Sequence, residues 1–285
     1  MAERRRDRQD RQDRRGEREN VPETYGSPVG DPGSPQGDLR APGASGSPLR
    51  DEARPARDEP GPVRDDDVRP VRDDEARGWD ALVATARRTV TDGLVVGTSG
   101  NVSVRVGDTV LVTPSGVPYD RLTPHDVTGV DLDGRQVLGR LVPTSELPMH
   151  LAVYRTTDAR AVVHTHAVHA TAVSTLVTEL PPVHYMTAAL GGPVRVAPYA
   201  TYGTDELADN MLRALEGRSA CLLQNHGTVA YGAHLDQAFD RTAQLEWMSH
   251  LWLTASAIPS LTPSLLTPAQ LEESATHLNA YGQHP

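Results

Sequence analysis

The pattern of hydrophobic and polar positions divides the chain at about residue 77. Before that point most positions are Arg, Asp, Glu, Pro, Gly or Gln. Such a segment buries too little apolar surface to offset the entropy of ordering it, so residues 1–77 are predicted to be a disordered tail. From residue 78 apolar residues recur at helical and strand spacings. Residues 78–285 are therefore predicted to form one folded domain.

Within the folded part, helices are predicted to alternate with short strands. Apolar residues at helical spacing from Trp79 to Val90 predict a first helix, and alternating valines on both sides of Gly107 predict a β-hairpin. Further strands are predicted at 127–132, 161–166, 194–196, 220–224 and 229–231, and further helices at 145–156, 169–176, 205–215 and 236–255. The hairpin favours a mixed α/β domain with a largely antiparallel sheet flanked by helices.

Composition and charge limit the function classes. The formal net charge is −10, which argues against nucleic acid as the main partner. No apolar run approaches the roughly 20 residues that span a bilayer, and no secretory signal is recognised at the start of the chain. A cytoplasmic protein without a membrane or nucleic-acid partner is expected. The tail is interpreted as a solvated extension, with a tether or partner-binding segment as the alternative.

Two histidines separated by one residue follow the apolar run at 161–163. His164 and His166 are at i and i+2, and side chains with this spacing on a strand point the same way. A third histidine, His226, comes shortly after another apolar run. Three imidazole nitrogens with a fourth position left open are typical of a catalytic zinc site. The alternative is that these are buried histidines whose hydrogen bonds are satisfied within the protein.

The chain contains no lysine, because all 28 Lys+Arg positions are arginine. Schiff-base chemistry through a lysine amine is therefore excluded, and so is a phosphate-binding P-loop. If this protein makes or breaks a carbon–carbon bond next to a carbonyl, a metal ion must hold the negative charge. The missing lysine and the histidines thus indicate the same kind of site.

Three short segments, at 97–101, 113–116 and 143–146, combine hydroxyl side chains with glycine or with a predicted helix start. Small residues let backbone amides approach an anion, and a helix N-terminus attracts phosphate. We therefore expect one phosphate cradle that is built without lysine. Glu146 directly follows the last hydroxyls, and its position fits equally a general base or an acid that serves only the helix dipole.

Together these segments resemble the class II aldolase/adducin family, and most closely its L-fuculose-1-phosphate aldolase branch. The resemblance runs from about residue 78 to the C-terminus. It is carried, in order and with family-like spacing, by Gly97-Thr98-Ser99-Gly100-Asn101, Thr113-Pro114-Ser115-Gly116, Ser145-Glu146, His164-Thr165-His166, His184-Tyr185-Met186, Pro198-Tyr199-Ala200-Thr201 and Asn225-His226-Gly227. It implies a three-layer fold with a largely antiparallel central sheet.

The resemblance also implies a role for each motif. One Zn²⁺ ion per subunit is expected on His164, His166 and His226, with Glu146 as the acid/base at the enediolate carbon. The phosphate is expected at a set of loop residues, namely Thr98, Gly100, Asn101, Ser115, Gly116, Thr144 and Ser145. Tyr185, supplied by a neighbouring subunit of a C4 homotetramer, is expected to protonate the aldehyde oxygen. Tyr281 matches a second tyrosine near the family's C-terminus.

The implied reaction is cleavage of a ketose 1-phosphate, L-fuculose 1-phosphate in the first instance, to dihydroxyacetone phosphate and L-lactaldehyde. Two positions depart from the pattern: Asn225 replaces a frequent histidine, and Tyr202 stands where phenylalanine is expected. The alternatives are a related sugar-phosphate aldolase or a methylthioribulose-phosphate dehydratase. A third alternative is a non-catalytic adducin-like interaction module, which should have lost the zinc histidines.

Overall fold

The computed structural model describes residues 69–280, which are built around a nine-stranded sheet with helices on both faces. The predicted tail therefore lies outside the described residues up to position 68, and so does Tyr281. The strands are β1 Asn101–Val106, β2 Thr109–Val112, β3 Gly129–Val130, β4 Gln136–Leu138, β5 Ala161–Thr165, β6 Glu179–Leu180, β7 Val194–Ala197, β8 Ala220–Leu223 and β9 Gly227–Gly232. The helices are α1 Asp73–Thr91, α2 Leu147–Thr156, α3 Val168–Ser174, α4 Asp205–Leu215, α5 Leu235–Ser256 and α6 Pro268–Asn279.

The strands are ordered β4-β3-β2-β1-β5-β9-β8-β7-β6 across the sheet. Neighbouring strands are antiparallel except β7 and β8, which are parallel. This confirms the predicted, largely antiparallel sheet. The order also puts β5 between β1 and β9, three strands that are far apart in the sequence, so their adjoining ends can bring distant residues together.

Side chains alternate between the two faces of the sheet, so each central strand contributes to two cores. Val162 and Cys221 pack with the apolar residues of α2 and α4 on one face. Their neighbours Val163 and Leu222 pack on the opposite face, which α1, α3 and α5 cover. The result is the expected arrangement of helices, sheet and helices in three layers.

Helix α5 has 22 residues and is the longest helix in the described part of the chain. His234 caps its N-terminus, where a ring nitrogen accepts a hydrogen bond from the backbone N–H of Gln237 at 3.2 Å. Phe239 is buried beneath the sheet, and the guanidinium of Arg88 makes a cation–π contact with its ring, 3.9 Å from the ring centre. Polar residues interrupt the apolar face of α5. Among residues 69–280, no helix is both long and apolar enough to cross a membrane.

Helix α1 begins at Asp73, inside the segment that the sequence had assigned to the tail. Three acids, Asp73, Asp74 and Glu75, occupy its first turn, where the helix dipole favours negative charge. Glu75 also accepts a hydrogen bond from the backbone N–H of Arg72 at 3.0 Å. Composition alone does not reveal this start, because the same charged residues are typical of both a tail and a helix N-terminus.

Glu75 is fully buried and holds the start of α1 through its carboxylate. Arg69 donates two hydrogen bonds to it, at 2.8 and 2.5 Å, and these lower the pKa of the carboxyl to about 2 against the opposing effect of burial. A carboxyl with a depressed pKa stabilises the fold above its ordinary value of 4.5, and this stabilisation is lost as the pH falls towards 2.

Glu75→Gln is therefore expected to lower the free energy of unfolding by about 1–3 kcal/mol at pH 7, since hydrogen bonds to a charged group are lost. Denaturant unfolding of both proteins at pH 7 and at pH 3 measures the difference. It should be largest at pH 7 and should shrink at pH 3. If the two proteins differed by the same free energy of unfolding at pH 7 and at pH 3, the ionised carboxylate of Glu75 would not be the source of the stabilisation.

Candidate active site

Three histidines converge at one end of the central strands. His164 is on β5, paired with Asn101 on β1 and with Val229 on β9, and His166 follows directly after the strand. His226 immediately precedes β9. The Nε2 atoms of His164 and His166 are 3.0 Å apart, and the centres of the three rings are 4.8–4.9 Å from one another. The spacing that predicted convergence therefore does bring the three rings together.

Glu146 completes this group from the other side of the cleft. It caps the N-terminus of α2, is only 6% exposed, and places Oε2 at 3.0 Å from Nε2 of His164 and Oε1 at 3.2 Å from Nε2 of His226. One candidate ligand atom from each of the four residues lies within 4.8 Å of the others. Buried Oε1 makes no hydrogen bond of good geometry, so this oxygen has an unsatisfied lone pair.

The hydrogen bonds of His164 show that the four residues fit a cation. Its Nδ1 is 2.8 Å from the carbonyl oxygen of Thr228, which can only accept, so Nδ1 carries the proton. In the neutral ring Nε2 is then a bare acceptor, yet it faces the carboxylate oxygen of Glu146. A positive ion between these groups would satisfy both acceptors, and a backbone carbonyl that fixes the ring tautomer is typical of metal-ligating histidines.

The same arrangement shifts the pKa values of the group. Burial raises the pKa of Glu146, but the imidazoles of His164 and His226 outweigh it and hold that pKa well below its usual range. Burial lowers the pKa of His164, and the charge of Glu146 more than compensates, so the pKa is raised. Burial and its histidine neighbours lower the pKa of His166 to about 4. The carboxylate is thus ionised, and His166 stays neutral at pH 7, the form in which a histidine binds a metal ion.

The three hydroxyl-rich segments at 97–101, 113–116 and 143–146, called here the first, second and third hydroxyl turns, meet beside this cluster. The backbone N–H of Ser115 donates to the carbonyl of Val142 at 2.9 Å, and that of Thr144 donates to the carbonyl of Thr113 at 3.2 Å. These two bonds join the second turn to the third, just before α2 begins. The N-terminal end of α2 lies beside these segments, so its helix dipole adds to the attraction that they offer an anion.

Gly100 allows the segment at 97–101 to lie directly against β5, the strand that contains His164. Its φ is +86°, and a Cβ at this position would lie 2.8 Å from the carbonyl oxygen of His164. Only glycine fits such a left-handed conformation at so close an approach. The buried hydroxyl of Tyr119 donates to the carbonyl of Gly100 at 2.7 Å and so holds the turn in place.

A cleft of about 380 Å³ connects the cluster to the turns. Its lining includes ten of the residues singled out from the sequence: Thr98, Gly100, Asn101, Ser115, Gly116, Thr144, Ser145, Glu146, His166 and His226. His164 lies just behind the wall and is fully buried. Tyr185 is half-exposed in the 3-10 turn Tyr185–Leu190 and does not line this cleft.

Several residues of the site have no specific role assigned from the sequence. Tyr199, from a motif that carries the family resemblance, and Tyr202, a departure from the family pattern, form an exposed aromatic part of the lining. Asn225, next to His226, has a φ of +56°, a conformation that asparagine tolerates better than most residues. His150, which the sequence analysis does not place in the site, hydrogen bonds to Asn101 at 2.5 Å. Its position four residues after Glu146, on the same side of a helix, is the signal that would have found it.

Comparison with known proteins agrees with this geometry. The family model described as Class II Aldolase and Adducin N-terminal domain matches residues 80–253. The L-fuculose phosphate aldolase of Escherichia coli O6:H1 is 47% identical over 186 residues, which are 65% of this chain and 86% of that protein. The 5-deoxy-D-ribulose 1-phosphate aldolase of Bacillus thuringiensis serovar kurstaki is 38% identical over 205 residues, 71% of this chain and 95% of that protein.

Solved structures show the same similarity. An L-fuculose 1-phosphate aldolase superposes with a TM-score of 0.69 at 35% identity, over 73% of this chain and 98% of the other. The relatives share the name aldolase but differ in the sugar phosphate that the name gives. They confirm the predicted fold class and the predicted enzyme class, a lyase of the metal-dependent aldolase type. Since the family model covers more than half of its residues, this chain belongs to the class II aldolase and adducin family.

Proposed function

We propose that this protein cleaves a ketose 1-phosphate, in the first instance L-fuculose 1-phosphate, to dihydroxyacetone phosphate and L-lactaldehyde. One observation carries the proposal: the carboxylate of Glu146 lies within 3.2 Å of two of three clustered histidines that could hold a metal ion, and it lines the same cleft as the hydroxyl-rich segments. A substrate whose phosphate occupies the cradle has its carbonyl end next to the histidines and its neighbouring carbon next to the carboxylate.

The cradle would hold the phosphate without a strong cation. Apart from histidine, none of the described residues that line the cleft is basic. The hydroxyls of Thr98, Ser115, Thr144 and Ser145 are the proposed donors, and the dipole of α2 adds to their attraction for the phosphate. Hydrogen bonds to a charged phosphate are stronger than those between neutral groups, so this donor set suffices to orient a small substrate. The substrate class is therefore a small, singly phosphorylated sugar.

Glu146 is the proposed acid/base. In the condensation direction it removes a proton from the carbon beside the carbonyl of dihydroxyacetone phosphate, and in the cleavage direction it returns that proton. Its depressed pKa keeps the carboxylate ionised, and only the ionised form can accept a proton. A bound divalent ion supplies the positive charge that stabilises the enediolate. His164, His166 and His226 would hold that ion, and their nitrogen donors suit Zn²⁺, the proposed metal.

Tyr185 is proposed to act in the cleft of a neighbouring subunit of a homotetramer. Two observations on this chain support the idea: the ring is half-exposed and it lies away from the chain's own cleft. Its role would be to exchange a proton with the aldehyde oxygen, at the opposite end of the substrate from the phosphate. The role proposed for Tyr281 rests on family resemblance alone.

The test is release of dihydroxyacetone phosphate by the purified, zinc-loaded protein, followed in a coupled assay with and without a chelator. L-Fuculose 1-phosphate, 5-deoxyribulose 1-phosphate and 5-methylthioribulose 1-phosphate are compared at equal concentration. Chelator-sensitive release that is highest with L-fuculose 1-phosphate supports the proposal. Higher release from a pentulose analogue would reassign the substrate, and loss of water from the methylthio sugar without carbon–carbon cleavage would identify a dehydratase.

The pentulose phosphates are the second candidate substrates. A relative that is 38% identical over 205 residues is named a 5-deoxy-D-ribulose 1-phosphate aldolase. Tyr199 and Tyr202 line the cleft with exposed rings and would contact the aldehyde part of any of these sugars. The length and polarity of that part are what differ among the three compounds, so the substrate panel tests this wall of the cleft.

Ser115→Ala is expected to raise KM for the preferred ketose phosphate about tenfold and to change kcat by less than about twofold, because one hydrogen bond to a charged group is lost in both ground and transition states. Ser115 is exposed, so the fold should be unaffected. Steady-state kinetics measure both constants. Competitive inhibition by inorganic phosphate should weaken by a similar factor, and an unchanged inhibition constant would remove Ser115 from the cradle.

A further inference from the structure

A chain of hydrogen bonds runs from the buried interior to Glu146. The hydroxyl of Tyr154 is 2.8 Å from that of Ser103, which is 2.6 Å from Nδ1 of His150. Nε2 of His150 is 2.5 Å from Oδ1 of Asn101, whose Nδ2 donates to Oε2 of Glu146 at 2.9 Å. Ser103 and His150 are fully buried, and the other three residues are less than a tenth exposed.

The direction of every bond in this chain is fixed from the carboxylate end. An ionised carboxylate can only accept, so the amide of Asn101 must turn its NH₂ group to Glu146 and its oxygen to His150. That oxygen accepts as well, so Nε2 of His150 carries a proton. Burial lowers the pKa of His150 to about 3, which keeps the ring neutral and leaves Nδ1 as an acceptor for Ser103.

The two outer hydroxyls then have one consistent arrangement. Ser103 uses its proton on His150, so Tyr154 donates to Ser103. Burial raises the pKa of Tyr154, which therefore keeps its proton. Four successive donors thus point towards the carboxylate, and none of them can reverse without leaving a buried group unsatisfied. Packing alone would not require this chain of hydrogen bonds, because an apolar side chain at position 150 would fill the same space.

We propose that His150 is a positioning residue that acts through Asn101 to fix the plane of the Glu146 carboxylate. The inference rests on the proposed function, because it assigns Glu146 as the acid/base. It also explains why Asn101, which the sequence predicts to bind phosphate, uses one amide hydrogen on the carboxylate. Without His150 the amide is free to turn its oxygen towards Glu146, which would repel the carboxylate from its place between the histidines.

Two variants at one position separate positioning from packing. His150→Leu fills the space but removes both ring nitrogens. His150→Gln places an amide nitrogen where Nε2 was, so it can still donate to Asn101. Val153→Ala, a buried position in the same helix, serves as a control for lost stability. All proteins are compared at equal content of bound zinc, so that a smaller folded fraction does not imitate slower chemistry.

The first readout is exchange of the proton beside the carbonyl of dihydroxyacetone phosphate with solvent deuterium, measured by NMR. This reaction needs Glu146 but no aldehyde, so it does not depend on the identity of the sugar. His150→Leu should slow exchange about 10- to 100-fold, as is usual when a supporting hydrogen bond around a metal site is lost. Cleavage should show a similar loss in kcat with KM changed by less than about twofold. His150→Gln should recover most of the loss, and Val153→Ala should exchange at the wild-type rate.

Equal losses in the leucine and glutamine variants, or wild-type exchange in His150→Leu, would overturn the inference. Crystal structures of the wild type and the two variants give a second readout that is independent of activity. The carboxylate plane or the Asn101 amide should differ from the wild type in His150→Leu and should be restored in His150→Gln. If the wild type neither exchanges nor cleaves, the proposed function fails, and an unmoved carboxylate in His150→Leu would then reject the positioning role by itself.

Discussion

Glu146→Gln is expected to lower kcat/KM for the preferred ketose phosphate by about 10²- to 10⁴-fold, the range found when a general acid or base is removed. The substitution keeps the size of the side chain and an oxygen that can accept from Asn101, but it removes the group that exchanges a proton with the substrate carbon. The loss should therefore appear in kcat, with little change in KM. Coupled assays of dihydroxyacetone phosphate release at saturating and limiting substrate measure the two constants.

Glu75→Gln is a matched control, because Glu75, like Glu146, is a buried glutamate whose carboxylate accepts side-chain hydrogen bonds. It lies at the start of α1 and does not line the cleft. It should lose stability and keep its activity, whereas Glu146→Gln should lose activity and keep its fold. Equal activity of the two variants would exclude Glu146 as the acid/base.

His226→Ala is expected to remove both the bound metal and the activity. The ring supplies one of three nitrogen donors, and it lines the open cleft, so its removal should disturb the core little. Metal content should fall from about one ion per chain to a small fraction, and kcat/KM should fall about 10²- to 10⁴-fold, since the metal contributes several kcal/mol to the transition state. Elemental analysis after gel filtration gives the first quantity and steady-state assays the second.

His250→Ala is the matched control for this substitution. His250 is exposed on α5 and stacks on His169 at 4.0 Å between ring centres, outside the group of three histidines. It should retain metal and activity. A His226→Ala protein that still holds a full complement of zinc would show that the ion binds elsewhere, and the proposed ligand set would be wrong.

Local signals predicted the helices and strands that have strong signatures. The start of α4 follows Thr204, whose hydroxyl accepts from the N–H of Leu207, and its predicted range matches the observed one. Helix α6 was not predicted, although Thr267 caps it and Pro268 opens it, because few apolar residues follow at helical spacing. Strands β4 and β6 have three and two residues, too few for a pattern of alternation to be recognised.

The candidate site was predictable where spacing along one element decides the geometry. His164 and His166 lie side by side because they share a strand and its continuation. The bonds from Asn101 to Glu146 and to His150 were not predictable, because they depend on how β1 packs against α2. That packing follows from the order and register of the whole sheet, which no local pattern contains.

The order of strands also has a consequence for biosynthesis. Asn101, His164 and His226 belong to segments that are synthesised at different times, and they become neighbours only when β1, β5 and β9 lie together in the sheet. An unfolded or half-made chain therefore offers a metal ion the His164–His166 pair at most, and never the complete set of ligands. We therefore expect the ion to bind the folded domain and to stabilise it by mass action, rather than to guide the chain to its fold. Scarcity of metal should accordingly yield folded, inactive protein that recovers as soon as the ion returns.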